Sequence, residues 1–295
     1  MSTTPLAGTV TLSGGPTLSR MGYGAMQLAG PNVFGPPGDR EQALAVLRAA
    51  VEAGVTHVDT ADFYGPGVVN ELIREALHPY PGLTVVTKVG ARRDADGDWV
   101  LSRDPDGLTA QVRDNLAHLG VDTLDVVNLR LGTMDTPDGT SLAEPFGALA
   151  ELREQGLIRH LGLSNVSDAQ LSEAQGIAPV VTVQNHYNLA QRRDDALLAR
   201  CAAEGIVFVP YFPLGGFTPL QSDRLTEVAA ELSARPQQIA LAWLLQRSPA
   251  IAVIPGTSSL AHLRENLAAA EVVLPERVVR KLDGIGGSEG VAGES

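Results

Sequence analysis

The chain has 295 residues, 44% of them hydrophobic and 19% charged, and 22 Lys and Arg against 34 Asp and Glu leave a formal charge of −12. That apolar fraction is ample for a core and excludes disorder or collagen-like repeats, while a pI near 4.9 without a basic run longer than an Arg pair excludes wrapping of a nucleic-acid backbone. The single cysteine, Cys201, excludes an internal disulfide, and no apolar run approaches the roughly 18 residues that cross a bilayer. Residues 1–8 lack the blocks of a secretion signal, so a cytoplasmic, reduced setting is expected.

Residues 9–12 and 17–19 flank Ser13-Gly14-Gly15-Pro16 and predict a β-hairpin on a tight glycine turn, placed to plug the floor of whatever follows. From about residue 21 to residue 270, short runs of Val, Ile and Leu alternate with stretches of helical periodicity. Strands are predicted at 21–24, 57–59, 84–88, 126–129, 160–163, 181–184, 207–211 and 252–254. Between them the apolar spacing is three and four, as in Ala43, Val46, Leu47, Ala50 and Val51, or Leu142, Phe146, Leu149 and Leu152. Gly54, Gly120, Gly156 and Gly205 stand where such helices must end. Eight β-α units without a linker predict an α/β chain, a single (β/α)8 TIM barrel domain over residues 1–295. The first strand is not followed by G-x-G-x-x-G, which argues against a Rossmann sheet. Two longer stretches, 90–104 and 131–141, are rich in Gly and Asp and are expected to be active-site loops.

In such a barrel the chemistry sits at the C-terminal ends of the strands, and those ends are polar here: His57-Val58-Asp59, Val86-Thr87-Lys88 and Val126-Val127-Asn128. Lys88 is the most informative, because the only other lysine is Lys281 and arginine is the default cation of this chain. An ammonium beside Tyr64 is expected to lower the pKa of the phenol toward working pH, with Asp59 holding the charge in place. The plain alternative is a structural ion pair between Asp59 and Lys88, with Tyr64 only packing. A second alternative, from another class, is a lyase that uses Lys88 as a Schiff-base nucleophile.

Asp59-Thr60-Ala61-x-x-Tyr64, Lys88, Gly162-Leu163-Ser164-Asn165, Val183-Gln184-Asn185, Tyr211-Phe212-Pro213-Leu214-Gly215 and Ile254-Pro255-Gly256-Thr257 follow one another in order over nearly the whole chain. In this the sequence resembles the aldo-keto reductase superfamily. The resemblance implies a catalytic set of Asp59, Tyr64, Lys88 and Asn128, with Asn128 where most members carry histidine. It also implies NADPH as the source of hydride for a carbonyl and Tyr64 as the proton donor. Tyr211 then matches the aromatic residue that stacks on nicotinamide, and Ser164, Asn165 and Gln184 match the partners of its carboxamide. Ser164 and Asn165 have a second reading, as a cap for the helix that begins near Ser167.

Gly24, Ala25 and Met26 with Pro213, Leu214 and Gly215 are assigned by the resemblance to the same cofactor site. Gly256, Thr257, Ser258, Ser259, His262, Arg264 and Asn266 are assigned to its adenosine and 2′-phosphate, and Leu214-Gly215-Gly216 to phosphate as well. Loop position alone suggests Phe34, Trp99 and His186 as walls of the substrate pocket. His57, His78, His118 and His160 are expected to be structural or solvated, and no metal is expected, since no pair has ligand spacing.

Within the superfamily the chain is most similar to the pyridoxal reductase (pyridoxine 4-dehydrogenase) branch. Residues 22–31, 34–37, 126–130 and 212–221 carry that similarity, Asn128 among them. The branch implies reduction of pyridoxal or a related aromatic aldehyde. Alternatives are a ketoreductase of sugar or secondary-metabolite intermediates, and an NADPH-binding regulatory subunit of low turnover.

Overall fold

Thr9–Thr11 (β1) and Thr17–Ser19 (β2) pair antiparallel in the computed structural model, which describes residues 6–94, 96–132, 136–215 and 222–285. The turn between them closes because Gly14 adopts φ 67°, open to a residue without Cβ. Leu12 and Leu18, buried at the ends of this hairpin, pack on Val86, Val126, Val181 and Val207. The hairpin therefore closes the floor of the barrel, as expected.

The parallel sheet runs β3 (Tyr23–Gly24), β4 (His57–Asp59), β5 (Thr84–Val89), β8 (Leu124–Arg130), β9 (Ile158–Ser164), β10 (Val180–Gln184) and β11 (Val207–Phe208), each beside the next. These strands carry few polar residues except at their ends, because both faces are covered: one by the barrel interior, the other by helices. The stretch expected as a strand at 252–254 closes the ring through isolated parallel bridges only, Phe208 to Ile251, Met21 to Val253 and Gly24 to Gly256. Pro249 and Pro255 bracket it and remove the amide donors that a regular strand needs.

The stretch 90–104, expected as a loop, is partly ordered as a second hairpin, β6 (Ala91–Arg93) against β7 (Trp99–Leu101). Its turn is built by Asp94, whose Oδ1 accepts from the amides of Asp96 (3.0 Å) and Asp98 (2.8 Å). Of the second expected loop, residues 133–135 lie outside the described residues.

The helices are α1 (Arg40–Glu52), α2 (Val68–Leu77), α3 (Pro105–Leu119), α4 (Ala143–Glu154), α5 (Asp168–Gln175), α6 (Asp195–Glu204), α7 (Asp223–Glu231), α8 (Pro236–Arg247), α9 (Leu260–Ala268) and α10 (Glu276–Asp283). The periodicity read for α1 is the buried face: Ala43, Val46, Leu47 and Ala50 turn inward, with Leu44 beside them. Asp39 starts this helix by accepting from the Gln42 amide, and Gly120 and Gly205 end α3 and α6 in the left-handed conformation at φ 70° and 69°. Among the described residues no helix is long and apolar enough to cross a membrane.

Candidate active site

Alternation along the strands puts Asp59, Lys88, Asn128 and Gln184 on the inner side of the barrel near its C-terminal rim, with Lys88 directly opposite Asn128 in the β5–β8 register. Lys88 Nζ donates to Asp59 Oδ1 at 2.5 Å and to the Thr60 carbonyl at 2.9 Å. Gln184 Nε2 donates to Asp59 Oδ2 at 2.7 Å, so both carboxylate oxygens are engaged. Asp59 and Lys88 are only 4% and 5% exposed. A pair this dry persists because the ammonium and both carboxylate oxygens have hydrogen-bond partners.

Tyr64 sits on the turn after β4, with its ring centroid 5.2 Å from Lys88 Nζ. A buried polar network anchors that turn. Thr60 Oγ1 donates to Asn70 Oδ1 (2.8 Å), and Asn70 Nδ2 donates to Asp62 Oδ1 and Asn115 Oδ1 (3.0 Å each). Thr87 Oγ1, beside Lys88, donates to Asn115 Oδ1 at 2.6 Å. At the outer end His118 Nδ1 lies 2.6 Å from Asp62 Oδ1, so this histidine is structural, as expected.

The expected acidification of the phenol is not the net outcome. Burial raises the Tyr64 pKa above its ordinary value, and the opposing Lys88 charge, aided by Arg130, does not overcome it. Burial pulls Lys88 down, but the charge of Asp59, then Tyr64, and the hydrogen bond to Asp59 more than restore it, leaving the ammonium above its usual range. The site thus holds a protonated phenol next to a fixed ammonium.

Asn128 is fully buried, and its Oδ1 accepts from Thr182 Oγ1 at 2.6 Å, while Nδ2 has no hydrogen-bond partner. Gly162 makes the room: a Cβ there would lie 2.0 Å from Asn128 Oδ1 and 1.9 Å from Thr182 Oγ1. Gln184 Oε1 is a second buried atom without a partner.

Above these groups opens a cavity of about 650 Å³, within the usual range for a small-molecule site. Of the residues expected in catalysis, Asp59, Tyr64 and Lys88 line it; Asn128, paired with Lys88 in the β5–β8 register, does not. Gly24, Met26, Ser164, Gln184, Tyr211, Pro213, Leu214 and Gly256 also line it, whereas Ala25, Asn165 and Gly215 do not. Asn165 turns the chain with φ 61° and gives its amide protons to the carbonyls of Leu131 (3.0 Å) and Thr136 (2.9 Å), holding the loop after β8. The helix after it is capped by Ser167 with Gln170, not by Ser164 or Asn165.

Trp99 is on the wall, but two other expected pocket residues are not. Phe34 lies behind the wall, 5.5 Å from the Arg93 guanidinium that separates it from Trp99, and His186 stacks on Tyr211 at 5.5 Å. Phe63 does wall the cavity, edge-on to both Tyr64 and Trp99; its position beside Tyr64 in sequence was the signal for it. Arg130, Leu225, Pro236 and Gln237 line it too, the last three because α7 and α8 fold over the rim.

From Gly256 the chain leads away from the cavity to the start of α9. Ser259 caps this helix by accepting from the His262 amide (3.4 Å), and Thr257 Oγ1 accepts from the Ser259 amide (3.0 Å). Tyr23 Oη pins the Thr257 carbonyl (2.6 Å). His262 and Arg264 are exposed there and Asn266 is buried. Of the phosphate stretch at 214–216, Gly216 lies outside the described residues, as does the 217–221 part of the branch similarity.

A nicotinamide dinucleotide fits this arrangement. Gln184 Oε1 is an unpartnered buried acceptor that a carboxamide would satisfy, Tyr211 and Ser164 line the same wall, and the capped start of α9 would suit a phosphate. Gly24 and Gly256 let the backbones converge between the two ends, since a Cβ on either would lie 2.5 or 2.6 Å from a carbonyl oxygen of the other segment.

A family model described as the Aldo/keto reductase family matches residues 20–286. The chain is 57% identical to pyridoxine 4-dehydrogenase of Escherichia coli strain K12 over 272 residues, 91% of this chain and 95% of that one. Among solved structures, a thermostable aldo-keto reductase in complex with the inhibitor epalrestat superposes with a TM-score of 0.78 at 31% identity, over 93% of this chain and 98% of that one. An aldo/keto reductase from Klebsiella pneumoniae in complex with NADP and acetate does so with a TM-score of 0.75 at 25% identity, over 93% and 94%.

Proposed function

The chain belongs to the aldo/keto reductase family, and from that premise we propose that it reduces the aldehyde of pyridoxal, or of a related aromatic aldehyde, to the alcohol with NADPH, residues 1–295 acting as one catalytic domain. The observation that carries this reading is the buried Asp59–Lys88 pair at 2.5 Å beside the Tyr64 phenol, on the wall of a mostly apolar cavity. A buried chain thiol, Cys201, and no membrane-length helix among the described residues support a cytoplasmic setting.

NADPH, when bound, supplies a hydride to the carbonyl carbon. The residues of the chain provide everything else. Tyr64 is held protonated by burial and so is the acid that gives its proton to the carbonyl oxygen. As the proton leaves, charge builds on the phenol oxygen, and the fixed Lys88 ammonium stabilises it there without reorganisation. Asp59 keeps Lys88 charged and in place, and Gln184 fixes Asp59. Thr182 holds the Asn128 oxygen, which leaves Nδ2–H as a donor toward the same carbonyl oxygen. Gln184, Ser164 and Tyr211 hold the nicotinamide, and Thr257, Ser258, Ser259 and the α9 start hold the phosphates, with His262 and Arg264 the nearby basic groups.

The test is oxidation of NADPH followed at steady state with pyridoxal, simple aromatic aldehydes and keto-sugars, with NADH in parallel. Turnover of pyridoxal with NADPH is expected. Consumption of keto-sugars alone would replace the substrate, and failure with every carbonyl despite tight NADPH binding would replace the reading with that of a regulatory subunit.

A further inference from the structure

Arg93 and Trp99 stand directly opposite each other in the β6–β7 register, and Trp99 lines the cavity while Arg93 does not. The guanidinium lies over the indole, 4.1 Å from the ring centroid, and 5.5 Å from the centroid of the Phe34 ring. Its Nη2 donates at 2.8 Å to the carbonyl of Asn32, a residue turned left-handed at φ 58°. Nε and Nη1 are buried, and neither has a hydrogen-bond partner. A guanidinium gives up water on two nitrogens only where something offsets the loss, and here the two ring faces do so. Asp98 and Asp94, on the same hairpin, oppose the fall in its pKa that burial imposes.

The clamp is tied at both ends to the turn that carries the proton donor. The Gly65 amide, next to Tyr64, donates at 3.1 Å to the carbonyl of Val33, which sits between Asn32 and Phe34. From the other side Trp99 meets Phe63 edge-on at 5.4 Å, and Phe63 meets Tyr64 edge-on at 5.3 Å. Tyr64, Phe63, Trp99, Arg93 and residues 32–34 thus form a closed ring of contacts. Trp99 remains 42% exposed, so the rest of its indole is open to the cavity and to solvent.

We propose that Arg93 is a positioning residue for aromatic substrates: lying over Trp99 from outside the cavity, it fixes the indole as the wall against which a flat aldehyde packs when its carbonyl reaches Tyr64. The inference rests on the aldehyde-reductase reading above and deepens it, since it assigns the preference for a planar ring to a wall that a guanidinium holds in place. A small aliphatic aldehyde reaches Tyr64 without using that wall and is indifferent to the clamp.

Two readouts test this. The chain has two tryptophans, and Trp243 is 1% exposed, so acrylamide quenching of tryptophan fluorescence in the cofactor-free protein reports on Trp99. Quenching is expected to increase in Arg93→Met, which frees the indole. At steady state with NADPH, the KM of that variant for pyridoxal should rise roughly 3- to 30-fold with kcat within about twofold, while the KM for propanal stays unchanged. Arg93→Lys keeps a cation beside the indole without the planar stack and should recover part of both effects. Unchanged quenching in Arg93→Met would overturn the clamp. Equal KM losses on the two aldehydes, or a fall in kcat alone, would overturn the preference assigned to it. A wild type that reduces neither aldehyde would overturn the reductase reading and that preference together, while the quenching comparison would still decide whether Arg93 holds Trp99.

Discussion

A phenol surrounded like Tyr64 has one chemical handle, its proton, and contributes little area to a dinucleotide. Tyr64→Phe keeps the ring packed on Phe63 but removes that proton. Turnover with pyridoxal should fall by about 10²- to 10⁴-fold while the NADPH Kd, followed by fluorescence titration, stays within about threefold. Comparable loss of both would mean that the hydroxyl grips the cofactor instead. His57 obeys the same logic of burial without chemistry. It is 2% exposed, pressed against Gly22, and neither ring nitrogen has a hydrogen-bond partner. Burial lowers its pKa to about 4, against a partial opposing pull from Asp59. The unfolded chain takes up this proton near pH 6.5, so between those values the unfolded state binds more protons than the folded one. Stability is full above pH 6.5 and drains as pH falls toward 4, by on the order of 3 kcal/mol. His57→Leu should flatten that slope in urea titrations at pH 4.5 and 7, and an unchanged slope would assign it to other groups.

At the scale of elements, the β8–β9–β10 register decides where Asn128 points. Gly162 stands opposite both Asn128 and Thr182 in that register, and it is the missing side chain that lets their 2.6 Å hydrogen bond form. Gly162→Ala should cost roughly 1–3 kcal/mol in urea unfolding and lower kcat by displacing Asn128, with less effect on NADPH binding. Native-like kcat at reduced stability would detach Asn128 from the reaction. Such a role for a glycine has no local signature, whereas the strand ends did: Asp59, Lys88 and Gln184 interrupt apolar runs, so their convergence was legible. The helical faces were legible for the same reason, through periodic burial. The β6–β7 hairpin was not, because its strands are equally short and, unlike the first hairpin with Gly14-Gly15-Pro16, it has no Gly-Gly-Pro turn between them to mark it. Phe34 and His186 were misplaced because loop position gives proximity to the mouth but not direction; a guanidinium and a tyrosine ring stand between them and the cavity.

Across the whole molecule, the weakest join is the one the chain makes between its beginning and its end. Regular ladders link β3 through β11, but the seam from β11 back to β3 rests on the isolated bridges around Ile251, Val253 and Gly256. Backbone bonds there are few: Gly22 N to the Val253 carbonyl and Val253 N to the Arg20 carbonyl, 2.8 Å each, and on the other side Phe208 N to the Ala250 carbonyl (2.9 Å) and Ala252 N to the Phe208 carbonyl (3.0 Å). Arg20 makes up the deficit. Its Nε donates to the Ile251 carbonyl at 2.9 Å, and Nη2 donates to the carbonyls of Leu245 and Ser248 at 2.5 Å each, tying the C-terminal end of α8 to the start of β3. The seam also carries function, since Gly24 and Gly256 meet on the cavity wall just before the α9 start. Arg20→Met retains most of the stem and removes the charged donors, leaving three partly buried carbonyls short of partners. It should therefore destabilise the protein by about 2–4 kcal/mol in urea unfolding. Amide exchange at Gly22 and Val253 should accelerate more than at the centre of β8 or β9, because the seam opens without the sheet. NADPH binding should weaken along with the seam. Uniform acceleration across all strands would instead show that the ring opens only by global unfolding and that its closure is as cooperative as its ladders.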